Sequence, residues 1–548
     1  MEDGFLYGLA IDIGTSGIRI QALDLNTSEV VATAITLRHP LPGANVIDHL
    51  HFAVEVGEDV AHKLIIDTIN SLLKLLEIDL SKVERVAVDG NPTQLSLFQN
   101  IEVRDLAYWG EHAMHDYNIK PPERNACVIK AGSVGLDLNP EADVYVPPGV
   151  KHEIGADALA MLVKSGVLEK RGISLVTDFG TNAEIALVID GEVFTCSAAA
   201  GPAIEGQRIE KGMLAAPGAI CDVNPESNGW RMTILNEQLL AEKGDAVLPH
   251  SGEVVARGPM SGKAHGITGT GVIAVLALGI SSGLIKLPNI ATQDRKLYLQ
   301  DGVYFTRRDL VEAGKAIGAF RAGHISLCEE AGITMQDIDT SYMAGASGFY
   351  VDANKSMDVG QIPACSRKVY QIGNTSLGMA KDIVLKPDMI DTLQSMADSI
   401  RGRHIMLATS KVFEKVYTLE LSYWDEGMPI TIYNEYLRRY GYNPLPKRVP
   451  NPEIKRIYMR DIPELGKKGL KVLRDIGVTL IGEFDGCTGC ESCVKSCPES
   501  AIRIEPAGDR YRIVIKSELC DGMACLRCQQ ACPDQVFKYS SLLKGKRE

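Results

Sequence analysis

The stretch AIDIGTSG, residues 10–17, decides the fold class of this chain. It joins a mostly apolar stretch, residues 6–13, to residues 18–25, in which apolar and polar side chains alternate. Both patterns are typical of β-strands, and the glycines between them are typical of a tight turn. The sequence therefore predicts a strand–turn–strand unit at the start of the chain.

The residues of this turn suit a phosphate group. Gly14 lets backbone N–H groups approach phosphate oxygens, and the hydroxyls of Thr15 and Ser16 add hydrogen-bonding groups. Asp12 has the chemistry to hold Mg²⁺, mostly through water. Because a single Asp-x-Gly-Thr also occurs in many ordinary turns, the interpretation depends on a second copy.

That second copy is DFGTNAE, residues 178–184, again between two predicted strands. Repetition of the same unit predicts two similar subdomains that face each other. We expect Asp178 or Glu184 to orient the water that attacks the phosphate. The other expected phosphate ligands here are Gly180, Thr181 and Asn182.

A third element strengthens the prediction. A predicted strand, residues 340–344, runs into GASG, where Gly345, Ser347 and Gly348 could pack against an adenine ring. A long predicted helix, residues 307–331, offers Lys315 for the ribose and base.

In this order the three elements resemble the phosphate-1, phosphate-2 and adenosine motifs of the acetate and sugar kinase/heat-shock/actin (ASKHA) superfamily. The resemblance implies an α/β, two-lobed ATPase fold that binds ATP and Mg²⁺ in a cleft between its subdomains. The alternative is that the three elements are only turns.

Eight of the thirteen cysteines lie in two runs near the C-terminus. The runs are CTGCESCVKSCP, residues 487–498, and CDGMACLRCQQACP, residues 520–533. The first has the spacing of bacterial ferredoxins, whose fourth cysteine ligates the other cluster, and the second has two extra residues after its first cysteine. We therefore predict a C-terminal α+β ferredoxin with two [4Fe–4S] clusters. Zinc, the alternative, fits this doubled pattern poorly.

The predicted ligands form two sets. The first cluster is expected on Cys487, Cys490, Cys493 and Cys532. The second is expected on Cys520, Cys525, Cys528 and Cys497.

Charge and hydropathy exclude several classes of protein. The net charge of −13 argues against nucleic-acid binding. The acidic start is unlike a signal peptide, and the longest apolar run, residues 272–280, is too short to span a membrane. We therefore expect a cytoplasmic protein without a membrane partner.

Residues 437–475 carry 11 basic and 4 acidic side chains and several prolines. This composition predicts an extended connector, either a solvated linker or a docking surface for an acidic protein or the ferredoxin itself. The predicted domains are residues 1–165 and 166–425 for the ATPase subdomains, 426–478 for the connector and 479–548 for the ferredoxin.

Longer stretches of sequence narrow the resemblance from a superfamily to one family. RHPLPGANV (residues 38–46), CSAAAGPAIEG (196–206) and IGNTSL (372–377) resemble the reductive activators of corrinoid proteins. The domain order is similar to the RamA-type branch, which serves methylamine methyltransferases in methanogenic archaea and related anaerobes. Other branches carry an N-terminal plant-type [2Fe–2S] domain, whereas this chain has a two-cluster module at its C-terminal end.

The resemblance implies an ATP-dependent reductase that returns Co(II) to Co(I) in a methyltransferase corrinoid protein. It also implies an upstream low-potential electron donor. Two alternatives remain open. One is an ATP-gated donor to a non-corrinoid enzyme, as in the activators of 2-hydroxyacyl-CoA dehydratases. The other is a chaperone-like ATPase with a structural metal domain.

Overall fold

The computed structural model describes residues 6–43, 45–108, 111–180, 182–199, 208–458, 460–474, 476–497, 499–543 and 546–547. The chain divides into two compact units. The first comprises Met1–Ala156, Ser376–Ala397 and Glu464–Glu548, and the second comprises Asp157–Thr375 and Asp398–Pro463. Within the described ranges, no helix combines the length and hydropathy that crossing a bilayer requires.

A seven-stranded mixed sheet forms the centre of the first unit. Its strands, in order across the sheet, are Leu470–Leu473, Val30–Thr36, Gly17–Asp24, Tyr7–Gly14, Val83–Gly90, Asp143–Val146 and Cys127–Lys130. The strands on either side of the first turn, Tyr7–Gly14 and Gly17–Asp24, are antiparallel, as the sequence predicts. The strand Val83–Gly90 runs parallel to Tyr7–Gly14.

Helices accompany this sheet. They are Val46–Val56, Glu58–Leu75, Pro92–Gln99, Arg104–Ala107, Glu111–Asp116 and Ala131–Val134, with a 3₁₀ turn at Leu80–Lys82. The helices Thr375–Leu385 and Met389–Ile400 also lie mainly in the first unit. Six of the eight residues of Tyr7–Gly14 are buried, which is typical of a central strand that is covered on both faces.

The ferredoxin module belongs to the first unit. Its four-stranded antiparallel sheet has the order Ile502–Ala507, Arg510–Lys516, Thr479–Glu483 and Lys546–Arg547. Its helices are short: Ser492–Lys495, Arg527–Gln530 and Tyr539–Leu543, with 3₁₀ turns at Ser517–Leu519 and Gly522–Ala524.

A second seven-stranded sheet forms the centre of the second unit. Its order is His404–Ile405, Glu192–Ala198, Ala183–Ile189, Ile173–Phe179, Thr340–Ala344, Lys368–Gly373 and Glu453–Arg456. The hairpin Ile173–Phe179/Ala183–Ile189 has a parallel neighbour, Thr340–Ala344, on its other side. The two units thus repeat one arrangement: an antiparallel hairpin whose first strand has a parallel partner.

The second unit also has smaller sheets that the sequence did not predict. A five-stranded sheet has the order Val254–Ala256, Ala241–Val247, Gly229–Leu235, Ala219–Glu226 and Gly266–Ile267. Two small hairpins are Ile285–Lys286 with Asn289–Ile290, and Lys296–Tyr298 with Tyr304–Thr306.

The helices of the second unit are Ala156–Ser165, Gly269–Ser281, Arg307–Glu330, Gly345–Tyr350, Ala353–Val359, Lys411–Asp425 and Ile430–Arg439. Its 3₁₀ turns are Val167–Glu169, Gln300–Gly302, Met335–Asp337, Arg401–Arg403 and Leu407–Thr409. Thr306 and Asp309 form a capping box that starts the long helix. Arg321 donates to the buried carboxylate of Glu420 at 2.9 and 2.6 Å, which ties the long helix to Lys411–Asp425.

The predicted connector is more structured than its composition indicates. It contains the helix Ile430–Arg439 and two strands, each of which joins the edge of a sheet. Glu453–Arg456 pairs in parallel with Lys368–Gly373, and Leu470–Leu473 pairs in parallel with Val30–Thr36. The physical reason is that a partner strand distant in sequence orders these short stretches, and local composition does not reveal that partner.

Candidate functional site

The first turn lies at the end of a buried strand. Asp12 is 4% exposed, and its carboxylate oxygen lies 3.4 Å from the guanidinium of Arg19. A Cβ on Gly14 would lie 2.9 Å from the same guanidinium. Glycine at position 14 therefore lets the Arg19 guanidinium lie close to the backbone of the turn, beside Asp12.

Three polar residues beside this turn were not predicted from the sequence. Asp89 stands opposite Asp12 in the parallel pairing and is fully buried. Asn91 donates to the hydroxyl of Thr15 at 3.2 Å and caps the helix Pro92–Gln99. Arg19 is the third. For Asp89 and Asn91, the sequence signal that could have identified them is the run DGNP, residues 89–92, directly after a buried strand.

The second turn lies in the other unit. Asp178 is 9% exposed, and the hydroxyl of Thr375 lies 3.4 Å from its carboxylate. A Cβ on Gly345 would lie 2.5 Å from Asp178 Oδ1, and Gly345 has φ = +77°. The predicted adenosine motif therefore lies directly against the aspartate of the predicted phosphate-2 motif, and glycine is required both for the backbone conformation and for the close approach.

The side chain of Gln371 anchors the backbone of the rest of the predicted adenosine motif. Gln371 donates from its amide nitrogen to the carbonyls of Gly348, Phe349 and Val351 at 2.8, 2.9 and 2.8 Å. A Cβ on Gly348 would meet the ring of Phe179 at 2.7 Å. This contact connects the helix Gly345–Tyr350, which includes Ser347, to the phosphate-2 strand.

Glu184 faces Asp178 across the second hairpin. Burial raises its pKa well above the ordinary value, and the negative charges of Asp157 and Asp178 raise it further. A raised pKa makes the carboxylate form of Glu184 a stronger base.

The remaining predicted nucleotide residues are less constrained. A Cβ on Gly180 would lie 3.2 Å from the carbonyl of Asn182, and Thr181 lies outside the described residues. Lys315 is half exposed, and its ammonium group lies 2.7 Å from Glu312. Ser16 lies in the first turn, between the paired glycines Gly14 and Gly17.

The two cysteine runs fold alike. In each, the residue after the second cysteine of the run has a left-handed backbone: Glu491, after Cys490, has φ = +59°, and Leu526, after Cys525, has φ = +48°. Each then starts a four-residue helix whose second residue is the next cysteine, Cys493 or Cys528. The two loops are related by an offset of 35 positions.

The donor set fits iron–sulfur clusters. The eight predicted ligands are free thiols, with Cys493 buried, Cys490 exposed and the others between. Burial raises the pKa of Cys520 and of Cys528 to about 12. Because a cysteine ligates metal as a thiolate, binding of a cluster must displace these protons.

Residues 36–43, here called the bridging segment, contact both functional parts of the first unit. At one end, the hydroxyl of Thr36 accepts a hydrogen bond from the backbone of Ile18, beside the first turn, at 2.8 Å. At the other end, Gly43 N–H donates to the carbonyl of Cys520 at 2.9 Å. Between them, Arg38 pairs with Glu499 at 2.8 Å. The segment therefore connects the phosphate-1 turn to the second cysteine loop.

The bridging segment is anchored by a buried polar cluster. The rings of His39 and His49 stack at 4.2 Å, and Gln94 lies 2.8 Å from His49 Nδ1. Burial lowers the pKa of His49 to about 3, so the ring is neutral. His39 and His49 were assigned no role from the sequence.

Comparison with known proteins shows matches along most of the chain. Residues 7–170 match the RACo middle region, and residues 172–434 match the C-terminal domain of RACo, the ASKHA domain. Residues 486–536 match a 4Fe-4S dicluster domain. The predicted two-lobed ASKHA fold with a C-terminal ferredoxin is confirmed.

A curated relative decides the family. The "Co(II) methylated amine-specific corrinoid protein reductase" of Methanosarcina barkeri is 48% identical over 506 residues, which are 91% of this chain and 92% of that protein. The chain belongs to the corrinoid-protein reductive activators. This confirms the family predicted from the sequence.

Two more distant relatives agree with this assignment. The corrinoid activation enzyme RamQ of Eubacterium limosum is 24% identical to this activator over 453 residues, covering 77% of this chain and 71% of that one. A solved structure of a reductive activator for a corrinoid, iron–sulfur protein has a TM-score of 0.61 at 23% identity. It covers 76% of this activator and 66% of its own chain, and it shows a shared fold.

Proposed function

We propose that this activator uses ATP to drive an electron from its ferredoxin module to the cobalt of a methylated-amine corrinoid protein, reducing Co(II) to Co(I). The observation that carries the proposal is the bridging segment. It links a phosphate-binding turn to a cysteine loop within one compact unit, through Thr36 at one end and Gly43 at the other. The name of the archaeal relative, which covers nearly the whole chain, supports the same reaction.

Each unit carries one proposed phosphate-binding turn. The residues assigned to phosphate are Asp12, Gly14, Thr15 and Ser16 in the turn of the first unit, and Asp178, Gly180, Thr181 and Asn182 in the turn of the second. The two aspartates are assigned to Mg²⁺, through water. We assign Glu184, with its raised pKa, to the proton released when water attacks the γ-phosphate.

The nucleoside is assigned to the second unit. Gly345, Ser347 and Gly348 present backbone to the adenine, and Lys315 is assigned to the ribose. Gly345 lies against Asp178, the residue assigned to phosphate and Mg²⁺, and this closeness supports the assignment.

The electron path uses the ferredoxin module. We assign all eight cysteines of the two runs as ligands of two [4Fe–4S] clusters, in the two sets that the spacing predicts. When bound, the clusters supply one-electron transfer. One electron enters from an upstream low-potential donor, and one leaves to convert Co(II) to Co(I).

Anaerobic absorption spectroscopy tests the proposal. A Co(II) methylamine methyltransferase corrinoid protein is mixed with the activator and a chemical reductant, with and without Mg-ATP. We expect the Co(I) band to appear only with Mg-ATP. If cobalt stays Co(II) while ATP is consumed and the clusters still cycle between redox states, the acceptor is not this corrinoid protein and the proposal fails.

Two variants distinguish the proposed role of the nucleotide site from that of the ferredoxin module. Asp178→Asn should abolish the ATP-dependent Co(I) band while leaving the iron content unchanged. Cys528→Ser should lower the iron content and abolish the band while ATP still binds. A Co(I) band that forms at the wild-type rate in either variant would contradict the proposed division of roles.

A further inference from the structure

Tyr539 stands beside one of the predicted cluster ligands. Its side chain is 1% exposed, and its hydroxyl lies 3.3 Å from the sulfur of Cys520. Its backbone N–H donates to the side-chain oxygen of Gln529 at 2.9 Å, next to Cys528. These two hydrogen bonds attach the ring of Tyr539, and the start of the helix Tyr539–Leu543, to the second cysteine loop.

The direction of this hydrogen bond follows from the chemistry of the two groups. A ligating cysteine is a thiolate and has no proton to donate. A tyrosine hydroxyl keeps its proton near neutral pH and can donate it. With a cluster bound, Tyr539 is therefore the donor and the Cys520 sulfur is the acceptor.

The predicted ligands of the two clusters differ in their hydrogen bonds. Cys520 also accepts from the backbone of Gly522 at 3.4 Å, and Cys497 accepts from the backbone of Ala501 at 3.4 Å. In the first set, Cys490 is hydrogen-bonded to the hydroxyl of Ser492 at 3.5 Å, to the backbone of Ser492 and to the side chain of Thr488, and that thiol is exposed, whereas Tyr539 is buried.

We propose that Tyr539 is a positioning residue for the second cluster, and that its hydroxyl makes the reduction potential of that cluster more positive than that of the first. Reduction adds one electron, and therefore one negative charge, to the cluster and its thiolates. A donor aimed at a ligating sulfur stabilises the reduced state more than the oxidised state. The inference rests on the two-cluster content of the proposed function.

The test is an anaerobic redox titration of the reconstituted full-length chain, followed by electron paramagnetic resonance. Wild-type protein should show two one-electron waves at different potentials. In Tyr539→Phe, the more positive wave should move to a more negative potential, with the other wave and the iron content unchanged. A shift of the more negative wave, or of neither wave, would overturn the inference.

Tyr511→Phe is the matched control. It removes the same hydroxyl from the same module, and that tyrosine is 37% exposed. Its ring lies against Gly489 in the first loop, and no described hydrogen bond joins it to a sulfur. Both waves should stay in place. A shift as large as that of Tyr539→Phe would show that the loss of any nearby hydroxyl moves the potentials.

A second substitution covers the case in which Tyr539→Phe fails to take up iron. Replacing only this residue with 3-fluorotyrosine keeps the shape and strengthens the donor. The more positive wave should then move further in the positive direction, and an unchanged wave would contradict the inference. A wild-type chain that binds iron for only one cluster would instead refute the two-cluster content of the proposed function.

Discussion

His324 shows how burial, helped by a nearby positive charge, sets the charge state of a residue. The ring is fully buried, and within the described part of the chain neither nitrogen has a hydrogen-bond partner. Burial lowers its pKa to about 3, and the nearby positive charge of Arg321 lowers it further. The folded protein therefore keeps the ring neutral at pH values at which the unfolded chain protonates it.

The sign of the resulting pH effect follows from this difference. Between the unfolded pKa near 6.5 and the folded value of about 3, the unfolded chain binds more protons, so stability falls as the pH falls. We expect His324→Leu to raise the midpoint of anaerobic thermal unfolding more at pH 5.5 than at pH 7.5. The difference corresponds to about 1.4 kcal/mol for the one pH unit below 6.5.

His115→Leu is the control, because that side chain is 91% exposed. It should change the midpoint little, and by the same amount at both pH values. An equal gain at both pH values in His324→Leu would mean that packing, and not protonation, causes the effect.

Gly345 has a role that a single side-chain substitution can expose. In Gly345→Ala, the methyl group would meet Asp178 Oδ1 at 2.5 Å and force the carboxylate aside. We expect ATP affinity, measured by anaerobic calorimetry, to fall at least about tenfold, or about 1.4 kcal/mol.

Gly332→Ala supplies the matched control. Gly332 also has a positive φ, of +66°, but a Cβ there meets nothing within 4 Å. It carries the same backbone penalty, of roughly 1 kcal/mol of stability, without the contact. An equal loss of ATP affinity in both variants would show that backbone strain is responsible and that Asp178 is not displaced.

For single residues, the sequence indicated which residues are candidates for the site, but it did not indicate which of them are in contact. Asp178 and Gly345 were both predicted, because Asp-x-Gly-Thr and a glycine-rich strand end are local signals. Their contact joins positions 178 and 345, and no local pattern encodes it. Asp89 and Asn91 were missed because their position beside the first turn depends on a parallel strand pairing.

At the level of elements, the bridging segment predicts that the first turn and the second cysteine loop are coupled. Arg38 and Glu499 are each about a quarter exposed, so their ion pair contributes roughly 0.5 kcal/mol to stability. Breaking it should not unfold the unit. We expect Arg38→Ala to keep its iron and its ATPase activity while the ATP-dependent rate of Co(I) formation falls, as measured by absorption spectroscopy.

Arg503→Ala is the corresponding control. Arg503 pairs with Glu505 at 2.7 Å inside one strand of the ferredoxin module. Its loss should leave the rate of Co(I) formation unchanged. If both variants lower the rate equally, general charge on the module is responsible and the bridging segment has no special role.

The helices and strands that could be predicted are those that have a local sequence pattern. Both hairpins and the helix Arg307–Glu330 were predicted, because strand patterns, tight turns and helical spacing are local signals. The strand Leu470–Leu473 was predicted as part of an extended connector, because four residues carry no clear period. Its partner, Val30–Thr36, lies more than 400 positions away.

For the molecule as a whole, cluster binding should stabilise one unit and not the other. In the proposed two-cluster state, the cysteine ligands join the short helices and loops of the module to one another through the clusters. We expect removal of iron by an anaerobic chelator to speed hydrogen exchange across residues 486–536. The helix Arg307–Glu330, in the second unit, should exchange at the same rate with and without iron.

The comparison is internal, since both segments are measured in one sample. Faster exchange throughout both units would mean that the clusters stabilise the entire chain. Unchanged exchange in residues 486–536 would mean that the ferredoxin module folds without its metal.

The parallel pairing of Leu470–Leu473 with Val30–Thr36 has a consequence for biosynthesis. A ribosome makes the N-terminal strands first, but the strand that completes their sheet emerges only when most of the chain has been made. Until then Val30–Thr36 is an open edge, able to pair with other nascent chains. A fragment that stops near residue 165 would keep this edge permanently, so a soluble fragment that contains this sheet must also include residues 470–473.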